Sequence, residues 1–114
     1  MGRRFDHTLA NVHILTNALN AGISCEILDP NNRIYLKNKN FTLEKSNLYG
    51  KYISFIPLTS SVKHLSLTGF QYPLEDYELS IGKSLGVSNE VVEDMASVAF
   101  SDGILVVVES RDCT

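Results

Sequence analysis

The hydrophobic period changes only once along this chain, and that change limits the folds open to it. From Asp6 to Ala21 the apolar residues recur at helical spacing. Leu9, Val12, Leu15 and Leu19 form one stripe, and Ala10, Ile14, Ala18 and Ala21 lie beside it. A broad apolar face of this kind predicts a helix. Asp6 is placed to cap its start, because a carboxylate there accepts a free first-turn N–H. Gly22 is placed to end it in the left-handed conformation. After Gly22 the pattern is one of short apolar runs broken by turns. Strands are expected at Ser24 to Leu28, Arg33 to Lys37, Phe41 to Glu44, Tyr52 to Leu58, Val62 to Thr68, Tyr77 to Ile81, Val91 to Phe100 and Ile104 to Val108. The last run is apolar on both strand faces, which suits burial between two layers.

Many short strands at regular spacing predict a sandwich or a barrel. The expected fold is therefore mainly β: an antiparallel β-sandwich or barrel-like domain, preceded by one N-terminal α-helix. No strand–helix–strand pattern precedes that helix, so its apolar face needs a neighbour from elsewhere. The helix is read as part of a different domain, with residues 1–22 separate from a β domain over residues 23–114.

The charge balance narrows the function. Ten Lys and Arg against thirteen Asp and Glu leave a net charge of -3. A nucleic-acid partner would require a dense basic surface. No apolar run approaches the roughly 20 residues that span a bilayer, so a membrane partner is not expected either. The basic N-terminus lacks the apolar stretch of a signal peptide, and a cytoplasmic location follows by default. Cys25 and Cys113 form no CxxC pair, and both are expected as reduced thiols. Gly82-Lys83-Ser84 imitates the end of a P-loop, but Tyr77 stands where that motif needs glycine. His7 and His13 lie six residues apart, on different sides of a helix, and His64 falls on a strand. None has metal-pair spacing. Arg33, Lys37, Lys39 and Lys45 are expected as a solvated basic face.

Two segments ask for more than packing. The first is Gly2-Arg3-Arg4-Phe5-Asp6-His7, followed by Leu9-Ala10-Asn11 at the helix start. Free N–H groups and the helix dipole favour an anion there, and arginine offers a planar fork for phosphate oxygens. A carboxylate fits beside phosphate when magnesium lies between them. Asp6 as a plain cap, with solvated arginines, accounts for the same residues. The second comprises Gly69-Phe70-Gln71-Tyr72-Pro73-Leu74 and Gly86-Val87-Ser88-Asn89-Glu90. The former is also a sound strand–turn signature. In the latter, Ser88 and Asn89 offer an uncharged hydroxyl and amide that can read the edge of an aminopyrimidine. They equally suit a polar loop.

In this order and spacing the segments resemble the C-terminal half of bacterial thiamin pyrophosphokinases, over nearly the whole chain. That family has Gly-x-Arg-x-Asp-His entering a helix, then Gly-Leu-Lys-Tyr-Pro-Leu, then a Ser-Asn pair. Phe70 and Gln71 depart from the second motif, and Gln71 is given no role. The resemblance implies transfer of pyrophosphate from ATP to the thiamin hydroxyl, giving thiamin diphosphate and AMP, with Mg2+. It implies Arg4 on phosphate and Asp6 supporting the metal or the reacting groups. His7 and Asn11 would shape the nucleotide site, and Ser88 and Asn89 would contact thiamin. The helix would be the end of an α/β catalytic domain, and the strands the thiamin-binding domain. The family's other catalytic aspartates precede this motif, so the chain alone is expected to be inactive. Family members are homodimers whose active sites combine two subunits. The competing expectation is a non-catalytic β-sandwich module for ligand binding or self-association.

Overall fold

The structure, a computed structural model, describes residues 5–83 and 85–111, with helix side chains described from Ala10 onward. One helix, α1 (Phe5–Asn20), precedes eight strands: β1 (Ile27–Leu28), β2 (Asn32–Lys37), β3 (Phe41–Glu44), β4 (Tyr52–Pro57), β5 (Ser61–Thr68), β6 (Leu74–Ser80), β7 (Met95–Ala99) and β8 (Leu105–Ser110). They form two four-stranded sheets, ordered β1-β2-β8-β4 and β3-β7-β5-β6. All their pairings are antiparallel. The architecture is a sandwich rather than a closed barrel.

Alternation along the strands builds the core between the sheets. Ile53 and Phe55 of β4, Leu65 and Leu67 of β5, Ala96 and Val98 of β7, and Leu105 and Val107 of β8 are all buried there. Strand β8 explains its own unbroken apolar run. Leu105 and Val107 point into the sandwich, while Val106 belongs to a second cluster with Leu15, Ile34 and Leu36. One face of the strand thus meets the opposite sheet and the other meets α1, as a two-sided apolar strand requires.

Helix α1 covers the outer face of the first sheet. Leu15 is 3% exposed against that cluster, with Leu19 beside it, whereas Ile14 on the same helix is 57% exposed. The apolar face is thus only partly spent within this chain. The helix ends as Gly22 predicts. Gly22 has φ of 74°, its N–H donates to Leu19, and the Ile23 N–H donates to Ala18. This is the paired bonding of a Schellman cap. The described helix already includes Phe5, so Asp6 lies within it rather than preceding it.

Three sequence expectations shift. The first strand is only Ile27–Leu28, because the turn at Asp29 ties the hairpin close to its end. The Asp29 carboxylate accepts the N–H groups of Asn31 and Asn32 at 2.8 and 2.7 Å. Strand β6 starts earlier than expected, at Leu74. Residues 91–94 are not part of β7, because Val91 and Val92 bond the segment after β5 instead.

Candidate functional site

The segment from Gly86 to Val92 joins the two sheets on the β4 side. It is first held along the free edge of β4. Phe55 donates its N–H to the Gly86 carbonyl at 2.7 Å, and Ile53 and Asn89 exchange both backbone bonds at 2.8 Å. The Ser88 N–H donates to Ser54 Oγ at 3.0 Å. Glycine is needed at 86 because a Cβ there would run into the Phe55 carbonyl oxygen. Past Asn89 the segment turns to the other sheet. Glu90 accepts the Gln71 N–H at 2.8 Å, and Val92 donates to Gly69 at 2.9 Å.

Asn89 closes this corner. It is 1% exposed. Its Oδ1 accepts the N–H groups of Tyr72 and Glu90 at 3.0 and 2.9 Å, and its Nδ2 donates to the Tyr72 carbonyl at 2.9 Å. A buried amide must satisfy its polar atoms, and this one does so on the backbone of the other segment. The two sequence segments selected among the strands therefore meet. Phe70 anchors the same corner, packing edge-to-face on Phe55 with ring centroids 5.5 Å apart.

The two residues expected to read a ligand are placed differently. Ser88 is exposed, on a backbone with φ of 58°. Its hydroxyl has no hydrogen-bond partner among the described residues. Asn89 faces inward, and its amide holds Tyr72. Tyr72 itself is 58% exposed. Sequence reasoning treated this tyrosine as turn punctuation.

The helix-borne residues lie elsewhere. Arg4 falls outside the described residues. Asp6 and His7 belong to α1, with side chains outside the description, and Asn11 is exposed. Helix α1 packs mainly on β2, whereas the 86–90 segment lies on β4, with β8 between those strands. Among the described residues no group of three His, Cys, Asp or Glu side chains could hold a metal. Cys25 is an exposed free thiol, and Cys113 lies outside the described residues. No helix among them is long and apolar enough to cross a membrane.

A larger cleft, of about 960 Å3, opens between β2, β3 and the segment after α1. Glu109 is among its lining residues and is 2% exposed. Its two oxygens accept the Tyr35 hydroxyl at 2.6 Å and the Tyr49 N–H at 2.9 Å. Burial first, and then the bond to Glu109, push the Tyr35 phenol above its ordinary value. Within the expected basic face, Arg33 and Lys37 are partly buried and have partners. Arg33 Nε bonds Glu26 at 2.7 Å, and that bond is the main cause raising its pKa. Lys37 lies over the rings of Tyr35 and Phe41, at 5.9 and 5.3 Å. Lys39 and Lys45 do remain exposed. The cleft's best-placed charges are thus engaged with one another or with aromatic rings.

Comparison with known proteins gives one consistent answer. Residues 39–105 match the family model described as thiamin pyrophosphokinase, vitamin B1 binding domain. The chain is 34% identical over 112 residues to the thiamine pyrophosphokinase of Bacillus subtilis (strain 168), covering 97% of this chain and 52% of that protein. The crystal structure of a Bacillus subtilis thiamine pyrophosphokinase superposes with a TM-score of 0.91 at 34% identity, covering 98% of this chain and 52% of the other. The crystal structure of a Geobacillus thermodenitrificans thiamin pyrophosphokinase gives 0.84 at 33% identity, covering 100% and 52%. The chain spans about half the length of these relatives.

Proposed function

The chain belongs to the thiamin pyrophosphokinase family, and from that premise we propose that it forms the thiamin-binding part of such an enzyme. The reaction is transfer of pyrophosphate from ATP to the thiamin hydroxyl, giving thiamin diphosphate and AMP. The observation that carries the thiamin reading is the corner built by Asn89. It fixes two sequence-distant segments within the matched domain and leaves the Ser88 hydroxyl open to a ligand.

In this reading Ser88 bonds the aminopyrimidine, where its hydroxyl can donate or accept. Asn89 acts through the backbone, holding the loop and Tyr72 in one arrangement. Catalysis of the transfer is mostly positioning and charge neutralisation. This chain's contribution is to hold thiamin with its hydroxyl presented for attack. Arg4 contacts phosphate, Asp6 supports the metal or the reacting groups, and His7 and Asn11 shape the nucleotide site. Magnesium accompanies ATP in the expected reaction.

The division into a helix belonging to an α/β domain and a β domain over residues 23–114 is part of the same proposal. It is supported by Ile14, which stays exposed on α1 after Leu15 has packed on the sheet. So is assembly as a cytoplasmic homodimer with sites shared between subunits. Val87 and Val92, at 49% and 50% exposure, flank Ser88 and Asn89 with apolar surface that a second copy could cover. The chain alone binds thiamin without turning it over.

Thiamin titration by calorimetry tests the reading, on the chain and on Ser88→Ala. Binding weakened about fivefold to tenfold by loss of one hydrogen bond supports it. Binding unchanged in Ser88→Ala removes the serine from the site. No binding by either chain sinks the thiamin assignment for this domain. Conversion of thiamin and ATP to product by the unmodified chain would overturn the claim of inactivity.

A further inference from the structure

We propose that Ser54 is the positioning residue for the Ser88 hydroxyl. By accepting the Ser88 N–H, it holds that residue in the left-handed conformation that sets the direction of its side chain. The proposal rests on the thiamin reading above and adds to it a residue of β4.

The 86–89 segment does not match β4 residue for residue. Phe55 donates to Gly86, and Ile53 exchanges both backbone bonds with Asn89. Between those two contacts β4 has Ser54 alone, whereas the segment has Val87 and Ser88. An extra residue opposite a single partner is a β-bulge, which interrupts the ladder and re-aims a side chain. Ser88 takes up the distortion, with φ of 58°. Residues with a side chain adopt that conformation uncommonly, and glycine would adopt it at less cost. Packing gives no reason for serine here, because Ser88 is exposed. What serine adds over glycine is its hydroxyl.

A bulged residue loses its place in the ladder, and its N–H needs another acceptor. Ser54 Oγ accepts the Ser88 N–H at 3.0 Å. Ser54 is half-buried, on a strand paired to β8 along its whole length, from Tyr52 with Ser110 to Pro57 with Leu105. The acceptor therefore sits on fixed backbone. A costly backbone conformation persists when its surroundings over-determine it. The bonds at Gly86 and Asn89 fix the ends of the bulge, and the bond to Ser54 fixes its middle. The angle φ sets where Cβ leaves the chain, so the same bond fixes the origin of the Ser88 hydroxyl. A group already in place loses less freedom when the ligand arrives. Ser54 itself touches no ligand in this account. It acts through Ser88.

The test measures thiamin affinity by calorimetry for the full chain, Ser54→Ala and Ser54→Thr, and repeats Ser54→Ala in a Ser88→Ala background. Ser54→Ala removes the acceptor and should bind about threefold to fivefold more weakly, while Ser54→Thr keeps it and should bind within about twofold. In the Ser88→Ala background Ser54→Ala should change nothing further, because the hydroxyl it positions is gone. Equal weakening in both backgrounds would make Ser54 a merely structural residue and overturns the proposal. So does unchanged affinity of Ser54→Ala beside weakened binding by Ser88→Ala, a result that leaves the thiamin reading intact. If the unmodified chain does not bind thiamin at millimolar concentration, the thiamin reading fails and takes this proposal with it. Amide NMR adds a readout that needs no ligand. In Ser54→Ala the Ser88 amide should exchange faster and its HN–Hα coupling should move. No change in either overturns Ser54 as the support of Ser88, even where thiamin binds. If Ser54→Ala does not fold, Ser54→Val is compared with Ser54→Thr, which has nearly its shape and keeps the acceptor oxygen, and the same outcomes decide.

Discussion

The amide of Asn89 forms two hydrogen bonds with the backbone of Tyr72, seventeen residues away, accepting its N–H at 3.0 Å and donating to its carbonyl at 2.9 Å. A side chain thereby imitates a strand partner where no strand is available. Truncation to Asn89→Ala leaves three groups without their partner: the Tyr72 N–H, the Tyr72 carbonyl and the Glu90 N–H. Unmade bonds in a buried place carry a desolvation penalty. The expected cost is about 2–4 kcal/mol, read as a lower urea midpoint. Thiamin affinity should fall as well, although in this account the amide never touches the ligand. Unchanged stability would mean that the corner is not closed by Asn89.

Gly86 offers a sharper change. A methyl group at this position meets the Phe55 carbonyl oxygen, which is fixed in β4. The loop must then lift from the strand, losing the 2.7 Å bond from Phe55 and disturbing Ser88 two residues on. Gly86→Ala should destabilise the chain by about 1–3 kcal/mol and weaken thiamin binding by more than its effect on stability accounts for. Hydrogen exchange would show it locally. The Phe55 amide should lose protection, while Val107 in the middle of the other pairing keeps it.

Much of this fold was legible because its signals are local. Alternation placed β2 to β5 within a residue or two, and Gly22 marked the end of the helix. The unbroken run at Leu105 to Val108 announced a strand with two covers. The sequence could not say that α1 supplies one of them, because helix and strand meet only in the folded chain. At the site, composition marked Ser88 and Asn89 as a pair but could not separate them. The direction of each side chain depends on the positive φ at Ser88 and on bonds to β4 and Tyr72. Both are tertiary. The basic residues show the same limit, since Arg33 and Lys37 look solvated until Glu26, Tyr35 and Phe41 are folded around them.

The attachment of α1 can be tested through Leu15. This side chain is 3% exposed against Ile34, Leu36 and Val106. Leu15→Ala removes three buried carbons and leaves a gap on the outer face of the sheet. The expected loss is about 2–3 kcal/mol, the low end for such changes, because the site lies under one helix and can collapse partly. Ile14→Ala, on an exposed position of the same helix, should cost less than about 0.5 kcal/mol. Equal effects in denaturant unfolding would contradict the packing of Leu15 on the sheet.

The Tyr35–Glu109 bond gives the fold a dependence on alkaline pH. Its 2.6 Å contact joins a phenol to a carboxylate that is otherwise bonded by the Tyr49 N–H. Tyr35→Phe removes the donor and leaves one oxygen of a buried charge without it, at a cost of about 1–3 kcal/mol near neutral pH. The phenol's pKa is raised in the folded state, so the folded chain holds this proton more tightly than the unfolded chain does. Its contribution is therefore fully present below the unfolded value of about 10, and it is lost as pH rises from there toward and through the folded value. The stability gap between the unmodified chain and Tyr35→Phe should be constant from about pH 7 to about pH 9 and narrow above about pH 10. Denaturant midpoints of both chains across that range measure it. A gap that widens with pH would reverse the sign and exclude Tyr35 as the donor to Glu109.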